Sequence, residues 1–181
     1  MIDSTIKTYA TRQCAAAVLA IVLALMLILG LGSAPRSGRA GPIASTVIEG
    51  PARVLDGDSL VVGGQQIRLE GIDAPEIGQT CRSSGDREWD CGRIAALALQ
   101  RLVANAHLRC AIRGLDRYDR MLATCSAAGR DLNAEMVRLG FAWAFVRYSR
   151  AYVREEAEAR GARAGIWNGP SVPAWEYRAA R

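Results

Sequence analysis

Histidine is nearly missing from this 181-residue chain; His107 stands alone. One imidazole excludes a two-histidine acid/base pair and a histidine-rich metal centre. A Ser-His-Asp triad would have to use His107, and the sequence has no G-x-S-x-G turn to present the serine. Lysine is as scarce, with Lys7 the only one among 23 basic residues. No G-x-x-x-x-G-K-S/T loop occurs, so a P-loop is excluded. Close C-x-x-C pairs are absent too, which excludes the usual structural zinc frameworks. Positive charge is sparse once it is placed along the chain. Residues 1–40 hold Lys7, Arg12, Arg36 and Arg39 against Asp3, so +3 of the net +5 lies there and +2 remains for everything after. That is no basic patch by composition. What is left for chemistry is carboxylate and arginine, groups that suit an oxygen-ligated hard cation and an anionic substrate.

Only one long apolar run exists, Ala15 to Leu31, without a charge. As a helix its length would be about 26 Å, above a typical signal-peptide core and at the lower limit of a bilayer span. Lys7 and Arg12 precede it and Arg36 and Arg39 follow, so the charge asymmetry is shallow. Gly38-Arg39-Ala40 reads as a small-x-small cleavage site, and a cleaved leader and a membrane anchor both remain open. Either exports the same domain, to the periplasm or beyond the cell, with the anchored form held at the inner membrane. The cysteines agree. Cys14 sits at the edge of the apolar run, while Cys81, Cys91, Cys110 and Cys125 form an even set in the exported part. Of three connectivities we favour Cys81–Cys91 with Cys110–Cys125. If 107–113 and 120–127 form a hairpin about Arg117-Tyr118, 110 faces 125. A disulfide closing a loop of that size is worth about 3 kcal/mol in the chain-entropy model.

Organisation follows: a flank at 1–14, the apolar segment 15–31, a Gly/Pro/Ser linker at 32–45, a domain at 46–169 and a tail at 170–181. Strand-forming residues run from Thr46 to Leu55, interrupted at Gly50-Pro51. Ser59–Val62 is a short strand, Gly63-Gly64 a hairpin turn, and Gln66–Asp73 the next strand. Residues 91–104 take helical period with Asp90 as cap, and Asp131 caps a second helix ended by Gly140. Residues 150–164 read as a polar helix whose Glu155, Glu156 and Glu158 face solvent. Five short strands and three helices define an α+β protein, an OB-type five-stranded β-barrel preceded by an N-terminal hydrophobic helix.

Three clusters carry acids and arginines: Asp56-Gly57-Asp58-Ser59, Arg68-Leu69-Glu70-Gly71-Ile72-Asp73-Ala74-Pro75-Glu76, and Asp116-Arg117-Tyr118-Asp119-Arg120. Alone, each is also an ordinary turn or charged hairpin. Their order and spacing together, D-G-D-S, then R-x4-D-x-P-E, then D-x-Y-x-R, resemble the staphylococcal nuclease family from about Val47 to Trp167. The likeness continues through Asp131-Leu132-Asn133-Ala134-Glu135-Met136-Val137, Gly140-Phe141-Ala142 and Gly165-Ile166-Trp167.

The resemblance implies a calcium-dependent endonuclease acting on DNA and RNA with little sequence preference. By the same resemblance, Asp58, Asp73 and the Ala74 carbonyl bind Ca²⁺. Glu76 assists the attacking water, and Arg68 and Arg120 clamp the scissile phosphate. Arg117 and Tyr118 touch a flanking phosphate, and Tyr148 is a candidate for base stacking. Two residues depart from the family pattern: Ala74 replaces Thr, and Asp119 replaces a turn Gly, which requires an aspartate in left-handed backbone. The alternative reading is a non-catalytic OB-fold nucleic-acid-binding module in the cell envelope. The chain is expected to be a monomer.

Overall fold

Proline has no N–H for a β ladder, and Pro51 divides the first strand run accordingly. In the computed structural model, which describes residues 46–181, that run becomes β1 (Val47–Gly50) and β2 (Ala52–Val54). The expected apolar helix at 15–31 lies outside the described residues. Next come β3 (Ser59–Val62) and β4 (Gln65–Leu69). They are joined by Gly63-Gly64 at φ 57° and 78°, the left-handed values a two-residue hairpin needs. The strand expected to continue to Asp73 is broken instead. Gly71 turns the chain at φ 76°, and β5 (Ile72–Asp73) leaves the main sheet.

A small hairpin of β6 (Thr80–Arg82) and β7 (Glu88–Asp90) leads into α1 (Cys91–Val103). The helix is capped by the Asp90 carboxylate, which accepts from Arg93 N at 2.9 Å. The long hairpin is β8 (Leu108–Leu115) and β9 (Met121–Ala127), with Cys110 opposite Cys125. The structure joins that pair and Cys81 to Cys91 as disulfides. After β10 (Arg130–Asp131), Asp131 caps α2 (Leu132–Arg138) by accepting from Ala134 N at 3.1 Å. Gly140, at φ 73°, ends the helix. β11 (Trp143–Ala144), α3 (Val153–Gly161), a 3-10 turn at Gly165–Asn168 and α4 (Ala174–Ala179) complete the chain.

The main sheet runs β1-β8-β9-β4-β3-β2, with β10 added on β9. β4 and β9 are parallel and the other neighbours antiparallel, so the sheet is mixed and the fold α+β. Among the described residues there are more strands than the five expected, because Pro51 and Gly71 each cut one, the β6–β7 hairpin adds two and the two-residue β10 and β11 add two more. Among the described residues, four α-helices replace the expected three, the additional one being in the tail.

Two cores form. The larger packs Leu60, Ile67, Leu69, Leu99, Leu108 and Met136 between sheet and helices. The smaller gathers the Cys81–Cys91 disulfide, Ile166 and Ala174 with Trp89, Trp143, Trp167 and Trp175, and it fastens the tail. One expectation for α3 fails. Glu155 is buried rather than solvated, facing Arg138 on α2 at 3.5 Å, because that face of α3 packs on α2.

Candidate active site

The Asp-Gly-Asp turn is built to aim one carboxylate inward. Asp58 N donates to Asp56 Oδ1 at 3.0 Å, and Leu69 N donates to the Asp58 carbonyl at 2.8 Å, locking the turn to β4. Gly57 has no room for a side chain, since an added Cβ would lie 2.6 Å from that of Ala74 and 2.9 Å from that of Ala95. Asp58 is left 3% exposed. Its Oδ2 accepts from Ala74 N at 2.9 Å and its Oδ1 from Ser59 Oγ at 3.1 Å.

Ser59 pairs with Arg68 across the β3–β4 ladder, which brings the guanidinium beside Asp58. Arg68 spans two acids: Nη1 donates to Asp58 Oδ1 at 2.8 Å and Nη2 to Asp73 Oδ1 at 2.6 Å. Asp73 is fully buried at the end of β5, held there by pairing with Trp143 of β11. Burial pushes the Asp58 carboxyl up to about 7; Arg68 pulls it down, while Asp56 and Asp73 push it further up. For Arg68, desolvation works against the charged form, but Asp58 and Asp73 outweigh it and the pKa rises. Both directions describe a site with more buried negative charge than Arg68 offsets.

Glu76 follows Pro75 in the next loop. Its N–H donates to Gln79 Oε1 at 3.0 Å, and Gln79 N donates to the Glu76 carbonyl at 2.9 Å. Gln79 is fully buried and its Nε2 donates to the Val172 carbonyl at 2.7 Å, tying this loop to the tail. The N-terminal turn of α1 approaches so closely that a Cβ on Gly92 would fall 1.8 Å from the Glu76 carbonyl oxygen. Gly92→Ala is therefore expected to displace the Glu76 loop and to cost about 1–3 kcal/mol of stability from overpacking. Urea denaturation measures it, and an unchanged midpoint would contradict this packing.

A further guanidinium completes the cluster. Arg178 of α4 donates through Nη2 to Asp73 Oδ2 at 2.8 Å and through Nη1 to Asp73 Oδ1 at 3.1 Å, and Nη1 also contacts Glu76 Oε1. Partial burial disfavours its charge, but these bonds outweigh the cost and raise its pKa. Asp58, Asp73 and Glu76 thus form a chain of acids linked by Arg68 and Arg178. Among the described residues, no three His, Cys, Asp or Glu side chains close around one point as a metal-holding group.

The other expected residues lie in two neighbouring places. Arg120 precedes β9, two positions before Leu122, which pairs with Arg68. Its guanidinium is held by Asp116, with Nε to Oδ2 at 2.7 Å, and among the described residues it forms no ion pair with Asp58, Asp73 or Glu76. Asp116 also accepts from Tyr118 N at 2.8 Å and Arg120 N at 3.0 Å. Burial would raise its pKa, but the bonds win and lower it. The Arg117 and Arg120 guanidiniums lie 4.8 and 5.5 Å from the Tyr118 ring centroid. Asp119 stands at φ 60°, the left-handed value expected of this turn. Tyr148 is 71% exposed, with its ring 4.9 Å from that of Phe145, whose N–H donates to the Gly71 carbonyl behind β5.

Three residues of the site were not anticipated. Asp116 stood in the third cluster as part of a turn, and its i,i+4 spacing to Arg120 is the signal that could have assigned it. Arg178 has no local signal, since Asp73 and Glu76 are distant in the chain, and Gln79, though it bonds Glu76 three residues earlier, owes its tie to the tail to the distant Val172.

Together these features define an α+β domain in which a mixed sheet, a Pro-containing loop and a terminal helix gather buried carboxylates and guanidiniums. The family model for staphylococcal nuclease homologues matches residues 66–169. The micrococcal nuclease of Shigella flexneri is 34% identical over 146 residues, 71% of this chain and 78% of the relative. An uncharacterised endonuclease of Haemophilus influenzae is 34% identical over 130 residues, 67% of each chain. The succinoglycan biosynthesis protein ExoI of Rhizobium meliloti is 33% identical over 141 residues, 76% of this chain and 74% of the relative. The chain belongs to the staphylococcal nuclease homologue family.

Proposed function

We propose that the protein is a calcium-dependent endonuclease that hydrolyses phosphodiester bonds of DNA and RNA with little sequence preference. The observation that carries this reading is Arg68 lying across Asp58 and Asp73, a buried acid pair with a planar, permanently charged donor at its edge. The fold supports it. β1 and β2, one run cut at Pro51, occupy the two ends of the sheet order, so the path β1/β2-β3-β4-β9-β8 returns to its start. That circular order, with one parallel pair, is how we read a five-stranded OB-type barrel.

The donor set fits a hard divalent cation, because every side-chain ligand is oxygen and the acids outnumber the guanidiniums that face them. Asp58, Asp73 and the Ala74 carbonyl would hold calcium. When bound, it would supply positive charge beside the phosphate and acidify a water. Arg68 and Arg120 would donate to the phosphoryl oxygens, on which negative charge grows during in-line attack. Glu76 would take the proton of the attacking water as the new P–O bond forms and the bond to the leaving oxygen breaks. Arg117 and Tyr118 would hold a flanking phosphate, and Tyr148 would stack on a base. Contacts to phosphates rather than base edges account for the weak sequence preference.

Two disulfides support an oxidising compartment, and we place the domain outside the cytoplasm, either released or tethered to the membrane through 15–31, as a monomer.

Protons compete with the cation for Asp58. Calcium affinity is therefore expected to be near its plateau above pH ~7 and to weaken by up to about tenfold per unit below it. Calorimetric titrations across that range check this, and a flat profile would contradict it. The activity itself is tested by incubating plasmid and RNA with the protein in calcium and then in chelator. Calcium-dependent degradation of both supports the enzyme. A mobility shift without cutting would favour the binding module and overturn the proposal.

A further inference from the structure

Sequence left residues 170–181 without a role, yet the tail is fastened beside the acids. Gln79 Nε2 holds the Val172 carbonyl at 2.7 Å, and the Tyr177 hydroxyl donates to the Gly78 carbonyl at 3.3 Å. Trp175 stacks on Phe145 at 5.5 Å between centroids and meets Trp143 edge-on at 6.0 Å. These contacts aim Arg178 at Asp73 and Glu76, where it engages both oxygens of Asp73 and one of Glu76.

We propose that Arg178 is a resident counter-cation that sets the affinity of the site for its divalent ion, covering Asp73 and Glu76 until the ion displaces it. The proposal rests on the calcium reading above. A carboxylate oxygen that accepts from a guanidinium is not free to ligate a metal, and a positive charge at that distance repels the incoming ion. The two arginines differ in what holds them. Arg68 is carried on a central strand with its side chain 15% exposed, whereas Arg178 is 39% exposed on a six-residue terminal helix. Arg178 can therefore withdraw into solvent, or onto a phosphate of the substrate, with the sheet unmoved. Cation affinity is thereby tied to the docking of the C-terminal segment.

The test titrates calcium chloride into chelator-stripped wild type, Arg178→Ala, Arg178→Lys and Asp73→Asn by calorimetry. Thermal unfolding of each is followed with and without calcium. Removing a competing charge is expected to tighten calcium binding in Arg178→Ala by about 5- to 150-fold, the usual span of such couplings. It should also enlarge the calcium-induced rise in melting temperature. Arg178→Lys, a point charge that cannot span both Asp73 oxygens, is expected to fall between, and it decides the matter should the alanine variant fail to fold. A purely structural tie would lower stability in both variants and leave calcium affinity unchanged or weaker, which would overturn the proposal. If calcium binds wild type and Arg178→Ala equally but is lost in Asp73→Asn, the competition fails while the cation reading stands. If calcium binds none of the four, both fall.

Discussion

Arg68→Ala is expected to lower turnover on a folded, calcium-loaded protein by at least about a hundredfold, the effect of removing one donor to transition-state charge. The loss should exceed that of an ordinary phosphate contact, because Arg68 also spaces Asp58 from Asp73. Its removal leaves two buried acids with one bridge fewer. Breaking a buried pair from one side costs of the order of 3 kcal/mol. In chelator the variant should therefore unfold earlier, and calcium should recover much of the difference by replacing the missing positive charge. Arg68→Lys keeps the charge but not the fork that spans both acids, so it should regain stability while turnover stays low. Steady-state digestion of a fluorescent oligonucleotide, paired with thermal unfolding, separates the two effects. A near-wild-type rate in Arg68→Ala would refute the assigned role.

Glu76→Gln is the second large effect. Glutamine keeps the shape and a hydrogen-bonding oxygen but cannot accept the proton of an attacking water, and general-base help is worth about 10²–10⁴-fold. Turnover should fall within that span, while calcium affinity changes little because Asp58 and Asp73 remain. The dissociation is diagnostic. Calcium affinity that collapses in Glu76→Gln would make Glu76 a ligand instead of a base. Unchanged turnover would remove it from the chemistry.

Local chemistry made part of this legible in advance. Two consecutive glycines between alternating residues specify a left-handed hairpin turn, and Gly63 and Gly64 adopt it. Asp90 and Asp131 cap the helices their positions predicted, because a side-chain oxygen there meets an orphan N–H. Cys110 faces Cys125 because pairing in an antiparallel hairpin keeps a constant residue sum. That sum changes by one near the turn. A bulge between Ile112 and Gly114 leaves Arg113 without a partner, so Leu115 faces Met121 and the turn widens around Asp116. Periodicity carries no mark of an extra residue in one strand.

Contacts formed across the chain account for the remaining differences. Glu155 sits in a run of acids that reads as a solvated face, and only the packing of α2 against α3 buries it against Arg138. Arg178 lies 105 residues from Asp73, in a tail whose helix depends on a tryptophan cluster drawn from four separate segments. That Asp58, Asp73 and Glu76 form one acid cluster was implied by the family resemblance and not by the spacing of any one segment. What spacing could not supply was the number of guanidiniums facing it, or that Arg120 rests on Asp116 instead of on the acids.

The most direct measurement is a crystal structure of the protein soaked with calcium and a non-hydrolysable phosphodiester. An anomalous calcium peak is expected about 2.3–2.6 Å from oxygens of both Asp58 and Asp73. Arg68 is expected to turn from the acids to the phosphate, and Arg178 to be released from Asp73. A calcium peak elsewhere, or both guanidiniums still clasping the acids with the phosphodiester bound at a distance, would contradict the proposed site.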